Sequence, residues 1–92
     1  MLVVFSTKQF KKDLKKLRRS GVFDDSILEL VIDKLSAEQP LQEKYQDHAL
    51  KGSMQGWREC HLRPNLLLVY KVYNEQLILE LVRLGSHSEL FD

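Results

Sequence analysis

The feature that most constrains the fold is a change in hydrophobic periodicity about halfway along the chain. Before residue 40, apolar side chains recur every three or four positions, as they do on one face of a helix. After residue 45, they alternate with polar residues or form short runs between turn residues, which is typical of strands. The 92 residues suffice for one domain, expected to span 1–92. Helices followed by strands predict the α+β class.

Two helices are predicted in the first half, after a short apolar strand at residues 1–5. Ser6 and Gln9 have the spacing of a capping box, which starts the first helix, and Gly21 is expected to stop it. The second helix is expected to begin at residues 24–26 and to end by Gln39, because Pro40 cannot continue it. The short connection predicts an antiparallel helical hairpin.

The second half is predicted to form strands at residues 57–63, 66–73 and 77–84, separated by turns and followed by a short tail. The hairpin is expected to pack on one face of the sheet. The sequence therefore predicts a short N-terminal strand and an antiparallel helical hairpin packed on a three- to four-stranded antiparallel sheet.

The formal net charge is only +1, but the charges are unevenly distributed. Residues 1–20 carry +6, residues 21–50 carry −5, and residues 51–92 are neutral. A basic helix face acts over about one Debye length, ~8–10 Å, so the small total does not exclude a polyanionic partner. The alternative interpretation is a lysine-rich helix that is merely solvated.

The composition argues against several classes of protein. No run approaches the ~18 apolar residues of a membrane span, and residues 1–5 are too short for a signal peptide. A single cysteine, Cys60, excludes an internal disulfide framework and a multi-cysteine zinc site. A reducing cytoplasm is the simplest expected location, with no membrane partner.

Three histidines, His48, His61 and His87, all fall in the strand half. An imidazole exchanges protons near neutral pH, so the three are candidates for acid–base catalysis, for a metal site, or for ordinary solvated or buried roles. Cys60 precedes His61, but adjacent strand residues point to opposite faces. Cys60 is therefore predicted to be a buried, inert thiol. Phe91 lies close to the terminus, where core contacts are fewest, and is a candidate for base stacking.

Three segments identify a family resemblance. Residues 45–52, 57–70 and 83–91 resemble, in order, the motifs of the YafQ-type toxins of the RelE/ParE superfamily. The resemblance covers nearly the whole chain and implies a RelE-like fold.

The resemblance also implies a function. Such toxins belong to bacterial type II toxin–antitoxin pairs and cut mRNA in the ribosomal A site without a metal or other cofactor. The implied partners are the ribosome, mRNA and a cognate antitoxin, expected to be a ribbon-helix-helix dimer, with operator DNA reached only through the antitoxin complex. His48, His61 and His87 match the family's catalytic histidines, and Phe91 matches its C-terminal aromatic residue.

Two positions depart from the family pattern. Asn65 stands where relatives often have Asp, and Leu66 stands where some have Trp. Asn cannot take up a proton but can hydrogen-bond a substrate, so Asn65 is kept as a site residue. The basic residues expected to bind RNA are Lys11, Lys12, Lys15, Lys16, Lys51, Arg58, Arg63 and Arg83.

Two alternatives share this fold. A ParE-like protein would inhibit DNA gyrase by binding, but it would not need three histidines in matching motifs. A catalytically weak chain would act as an antitoxin-bound transcriptional co-repressor, which the residues at positions 65 and 66 keep open.

Overall fold

The chain forms a five-stranded sheet with two longer helices against one of its faces. The computed structural model describes residues 1–91. In chain order the elements are β1 (Val3–Ser6), α1 (Lys8–Arg19), α2 (Asp25–Ser36), β2 (His48–Ala49), β3 (Arg58–Arg63), β4 (Leu66–Tyr73), β5 (Ile78–Gly85) and α3 (His87–Phe91). The predicted α+β class is confirmed.

The sheet is mixed, and its strands lie in the order β1-β5-β4-β3-β2. β1 runs parallel to β5, whereas the other neighbouring pairs are antiparallel. The sheet therefore differs from the predicted three- to four-stranded antiparallel sheet by its parallel edge strand and by the two-residue strand β2. Val3 pairs with Ile78, far along the chain, so no local pattern signals this pairing.

The first helix starts at a different cap from the one expected. Thr7, not Ser6, is the N-cap, and its hydroxyl accepts a hydrogen bond from the Phe10 N–H at 2.9 Å. The same hydroxyl donates to the Val82 carbonyl at 2.8 Å. Ser6 instead continues β1. The hydrogen bond from Thr7 to Val82 joins residues far apart in sequence. The local capping-box pattern could not reveal it and therefore indicated Ser6 instead of Thr7.

The second helix begins after Asp24, as expected, and ends before Gln39. At its C-terminus Glu38 has a φ of 59°, in the left-handed region. The N–H groups of Glu38 and Gln39 donate to the carbonyls of Leu35 and Lys34 at 3.0 and 2.9 Å. These two bonds form a Schellman motif, which ends the helix before Pro40 is reached.

The core lies between α1, α2 and one face of the sheet. Phe10 of α1 and Val31 of α2 are almost completely buried there. The strands contribute Cys60, Leu62, Leu68, Tyr70, Leu79, Leu81 and Leu84. Because side chains alternate along a strand, the core positions of β3 leave Glu59 and His61 on the opposite face.

The segment after Ser86 was predicted as a tail, but it forms the short helix α3. Asp92, the last residue of the predicted tail and of the expected 1–92 domain, lies outside the described residues. Among the helices of residues 1–91, none has both the length and the apolar character needed to cross a bilayer.

Candidate active site

Two of the three histidines share one carboxylate oxygen. Glu59 and His61 are two residues apart on β3 and therefore face the same way, and His48 of β2 pairs with Glu59 in the register. The Nε2 atoms of His48 and His61 lie 3.5 and 3.4 Å from Glu59 Oε1. Their ring centroids are 6.3 Å apart. The structure thus brings His48 and His61 together around Glu59.

A backbone contact sets the tautomer of His48. Its Nδ1 lies 2.6 Å from the Gln46 carbonyl oxygen, and a carbonyl can only accept, so Nδ1 carries a hydrogen. In the neutral ring, Nε2 then has the lone pair that a general base needs. Nε2 is also the ring nitrogen that lies 3.5 Å from Glu59 Oε1.

Glu59 is a site residue that the sequence reasoning missed. Its side chain is only 8% exposed, and it lies beside Val69 and two register positions from Leu67, both buried. A carboxylate in such surroundings interacts strongly with a nearby positive charge because water screens it little. The available signal was the strand alternation, which places residue 59 on the same face as His61.

The third histidine lies on α3, and its ring contacts that of Phe91 in a tilted arrangement. The two ring centroids are 5.1 Å apart with planes inclined by 47°. His61 of β3 pairs with Leu67 of β4, and Leu67 pairs with Gly85 at the end of β5. Because His87 comes two residues after Gly85, it lies at the same end of the sheet as His61. The structure therefore places the histidine pair and the His87–Phe91 pair at one end of the sheet.

Asn65 contacts α3 through the backbone. Its Oδ1 lies 3.4 Å from the backbone nitrogen of His87, which donates to it across a long hydrogen bond. Asn65 lies in the turn between β3 and β4, so this contact connects that turn to the helix. An amide oxygen is sufficient for this contact, since the donor is a backbone N–H.

Cys60 is fully buried, as predicted, and burial raises the pKa of its thiol to about 12. A protonated, inaccessible thiol is a poor nucleophile. Nor do residues 1–91 contain a group of three His, Cys, Asp or Glu residues arranged to hold a metal ion.

Comparison with known proteins identifies the family. The sequence model of the bacterial YafQ toxins of type II toxin–antitoxin systems matches residues 2–92. The chain belongs to the YafQ toxin family. It is 39% identical over 92 residues to "Putative toxin YafQ" of Haemophilus influenzae, covering 96% of this chain and 90% of that protein. It is 32% identical over 83 residues to "mRNA interferase toxin YafQ" of Escherichia coli K12, covering 90% and 88%.

Solved structures of YafQ relatives have the same fold. A metal-bound toxin from Helicobacter pylori is 54% identical, with a TM-score of 0.94 over 99% of this chain and all of that chain. YafQ in the E. coli DinJ–YafQ complex is 31% identical, with a TM-score of 0.86 over the whole of both chains. E. coli YafQ, which shares this fold, has been crystallised both by itself and in the DinJ–YafQ toxin–antitoxin complex.

Two arginines predicted to bind RNA are paired with carboxylates in this YafQ family member. Arg58 Nη2 lies 3.2 Å from Asp47 Oδ2, and Arg58 Nε donates to the Tyr70 hydroxyl at 3.2 Å. That hydroxyl also donates to Asp47. Arg83 donates through Nε and Nη2 to Asp13, at 2.9 and 3.3 Å. Both guanidinium groups are therefore held in place before any substrate arrives.

Asp13 is a buried carboxylate that gathers donors from three directions. Besides Arg83, it accepts from Gln9 Nε2 and from the Leu84 N–H, each at 3.0 Å. Burial alone would raise the pKa of Asp13, but the hydrogen bonds from Arg83, Leu84 and Gln9 outweigh it and hold the pKa below the usual 3.8. The ionised carboxylate ties α1 to the end of β5.

The predicted RNA-binding lysines of α1 line two different grooves. Lys11 and Lys15 line an outer groove of about 460 Å³, together with basic residues at the end of the helix. Lys12 and Lys16 line a groove of about 440 Å³ that reaches Arg83. Lys16 Nζ also lies 3.0 Å from Glu89 Oε2, although its side chain, like those of Lys11 and Lys15, remains exposed.

The remaining predicted RNA contacts lie near the histidine pair. Arg63 is exposed and lines a groove of about 630 Å³ beside His61, together with Lys44 and Gln46. Lys51 is exposed just before a 3-10 turn, Gly52–Met54, which follows β2. Cationic side chains thus border the histidine pair as well as α1.

Proposed function

We propose that this chain is the toxin of a type II toxin–antitoxin pair, an endoribonuclease that cleaves mRNA on the ribosome through the RNA's own 2′-hydroxyl. The observation that carries the proposal is the pair His48 and His61 around the buried carboxylate of Glu59. Membership of the YafQ family supports it, since the E. coli relative is named an mRNA interferase.

The reaction needs two proton transfers and stabilisation of charge. A base takes the proton of the 2′-hydroxyl while the 2′-oxygen bonds to phosphorus. The bond from phosphorus to the 5′-oxygen then breaks, and an acid donates a proton to that oxygen. The products are a 2′,3′-cyclic phosphate and a 5′-hydroxyl. Each positioned proton-transfer group contributes typically 10²- to 10⁴-fold, and donors to the phosphorane oxygens add to this.

The proposed base is one of His48 and His61. His48 has the stronger structural support, because Gln46 directs its hydrogen to Nδ1 and leaves Nε2 to accept a proton. Glu59 would stabilise the resulting imidazolium, whichever of the two rings takes the proton. This proposal extends the three-histidine hypothesis by assigning Glu59 the role of the group that stabilises the protonated base.

His87 is proposed as the acid or as a phosphate ligand, and Phe91 as a stacking surface for a base. A stacked base contributes ~1–3 kcal/mol. Asn65 would act by holding the backbone of His87 rather than by transferring a proton, since its amide oxygen faces that N–H. Such a role does not require an aspartate at position 65.

The basic residues are proposed to bind the RNA backbone. Because they neutralise phosphate charges and release counterions, the affinity for RNA should fall steeply as the salt concentration rises. Lys11 and Lys15 in the outer groove of α1, and Arg63 and Lys51 near the histidine pair, are exposed, as is Lys12. Lys12, with Arg83, lines the inner groove. Arg58 is tied to Asp47 and Tyr70, and we propose that it supports the segment before His48.

The proposed partners are the ribosome with its mRNA and a cognate antitoxin. The antitoxin is proposed because YafQ of E. coli was crystallised with DinJ. We propose that this antitoxin is a ribbon-helix-helix dimer and that the toxin contacts operator DNA only through the antitoxin complex. We also propose that residues 1–92 form a single toxin domain and that the protein is cytoplasmic. No cofactor is required by it.

The test is translation in a cell-free extract with purified protein. The expected result is cleavage of the message that requires ribosomes, leaves 2′,3′-cyclic phosphate ends and is equally fast when the toxin has been stripped of metal with EDTA and desalted before it is added. Loss of cleavage by the stripped toxin, with recovery on adding a transition metal, would overturn the metal-independent mechanism. Inhibition of purified DNA gyrase without message cleavage would favour the ParE-like alternative. A protein inert in both assays that still binds operator DNA with its antitoxin would favour the co-repressor.

A further inference from the structure

The helix that carries His87 and Phe91 is too short to hold its own position. α3 contains five residues, far fewer than the ~12–15 at which an isolated helix becomes marginally stable in water. The relative positions of His87 and Phe91 therefore depend on contacts that α3 makes with other parts of the chain.

Glu89 closes the first turn of α3. Its Oε1 accepts a hydrogen bond from the Ser86 N–H at 2.9 Å, and the Ser86 hydroxyl accepts one from the Glu89 N–H at 3.2 Å. This is a reciprocal capping box. At Gly85 a Cβ would lie only 3.2 Å from Glu89 Oε1 and 3.3 Å from Leu90 Cδ2, so the absence of a side chain lets the strand end approach the helix.

The second oxygen of Glu89 reaches a different element. Glu89 Oε2 lies 3.0 Å from Lys16 Nζ, on α1. The Ser86 N–H, Lys16 and the Ser86 hydroxyl together lower the pKa of Glu89 to about 2, so the carboxylate is ionised throughout the physiological range. One carboxylate thus joins the cap of α3 to the first helix.

The anchor point on α1 is itself fixed. Asp13, three positions before Lys16 and on the same side of the helix, accepts hydrogen bonds from Arg83 and from the Leu84 N–H. α1 therefore holds the end of β5 through Asp13 and holds α3 through Lys16. Both contacts converge on the segment that leads to His87.

We propose that Glu89 is a positioning residue for RNA cleavage, and that Lys16 acts by holding Glu89 rather than by binding RNA. The proposal rests on the proposed ribonuclease function, because it assigns the reason for the contact to the placement of His87 and Phe91. It removes Lys16 from the expected set of RNA contacts and leaves Lys11, Lys12 and Lys15 in that set.

The test compares Glu89→Gln, Lys16→Met and the double variant in ribosome-dependent mRNA cleavage. Glutamine can keep the capping bond from Ser86 while losing the charge that holds Lys16. Because a displacement of about 1 Å can cost up to ~10²-fold, we expect each single variant to lower kcat about 10-fold, with KM within about twofold. The double variant should be no worse than either single variant, because both remove one contact.

A matched control separates positioning from RNA binding. Lys8→Met removes one positive charge from the same helix, at its other end, and should leave kcat and KM unchanged. A Lys16→Met variant with higher KM, a weaker salt dependence of ribosome binding and unchanged kcat would overturn the proposal. Multiplying losses in the double variant would also overturn it.

A structural measurement keeps the inference independent of activity. Hydrogen exchange of the α3 amides should be about two- to fivefold faster in Glu89→Gln and in Lys16→Met than in the wild type, as expected for loss of an exposed ion pair, and unchanged in Lys8→Met. Unchanged exchange in the first two variants overturns the positioning role. Wild-type protein that leaves mRNA intact overturns the proposed ribonuclease function instead, so the two failures are distinguishable.

Discussion

The two halves of the candidate active site are held in place by different means. His48 and His61 lie on neighbouring strands, and the backbone register of the sheet brings them to Glu59. His87 and Phe91 lie on a five-residue helix that is connected to the rest of the chain by side-chain contacts. One half is thus built from main-chain hydrogen bonds and the other from individual side chains.

The two halves should therefore differ in their sensitivity to amino-acid substitutions. Strand register persists when a single side chain is altered, because the ladder of backbone bonds remains. A contact such as Lys16–Glu89 or Asn65–His87 disappears with one substitution. We therefore expect substitutions outside the reacting groups to disturb the geometry of the helix half more than that of the strand half.

The largest effect is expected from His87→Gln. If His87 is the acid, kcat falls by about 10²- to 10⁴-fold and the alkaline limb of the pH–rate profile disappears, because that limb reports deprotonation of the acid. Single-turnover cleavage measured across the pH range tests this. A profile that keeps both limbs would remove His87 from proton transfer and leave both transfers to the strand half.

Glu59→Gln tests the strand half. Losing a charged partner costs about 1.5–3 kcal/mol, which corresponds to roughly 10- to 100-fold in kcat if the charge acts in the transition state. The control is Glu80→Gln on β5, where Glu80 accepts a hydrogen bond from the Tyr73 hydroxyl away from the histidines. Equal losses in the two variants would mean that Glu59 acts only through the fold.

Asp13→Asn tests the support of the helix half through stability. Weakening the charged hydrogen bonds to Arg83 and Leu84 should lower the free energy of unfolding by about 2 kcal/mol at pH 7. Because the folded-state pKa of Asp13 is lowered, this stabilisation is complete above pH 3.8 and is lost as the pH falls further. Urea unfolding at several pH values should show the difference from wild type narrowing below pH 3.8.

The smallest effect is expected outside both halves, on the outer groove of α1. Replacing Lys11 and Lys15 by Met should weaken ribosome binding and reduce its salt slope by roughly 1.5, since each phosphate contact contributes ~0.7–0.9. Cleavage at saturating ribosome concentration should not change. The matched control is Lys34→Met, which replaces an exposed lysine of α2. If the salt slope did not change in the Lys11 and Lys15 variant, these lysines would be solvated residues that do not bind RNA.

Local patterns predicted much of the strand half. Alternation along residues 57–63 correctly separated Cys60 and Leu62 from His61, and the thiol is buried as expected. The same alternation placed Glu59 on the face of His61, but the role of Glu59 becomes visible only when both neighbouring histidines are located. The second of them, His48, lies on β2, which has two residues and is too short to give a periodic signal.

The helix half was much less predictable. The sequence of residues 86–89 has the spacing of a capping box, yet five residues are too few for a reliable helical pattern. The contacts that hold α3 come from Lys16 and Asn65, which are distant in sequence. Similarly, Thr7 replaced Ser6 as the cap of α1 because its hydroxyl also bonds to the Val82 carbonyl of β5.

The α+β class, the helical stripes, the main strands and the family resemblance could all be predicted from the amino-acid sequence. These depend on the side-chain periodicity of each element and on the order of short motifs. Tertiary structure alone decided the parallel edge strand, the shared carboxylate of Glu59 and the attachment of α3. Each of these depends on pairing between distant segments, and the free energy of such pairing comes from contacts that no single segment contains.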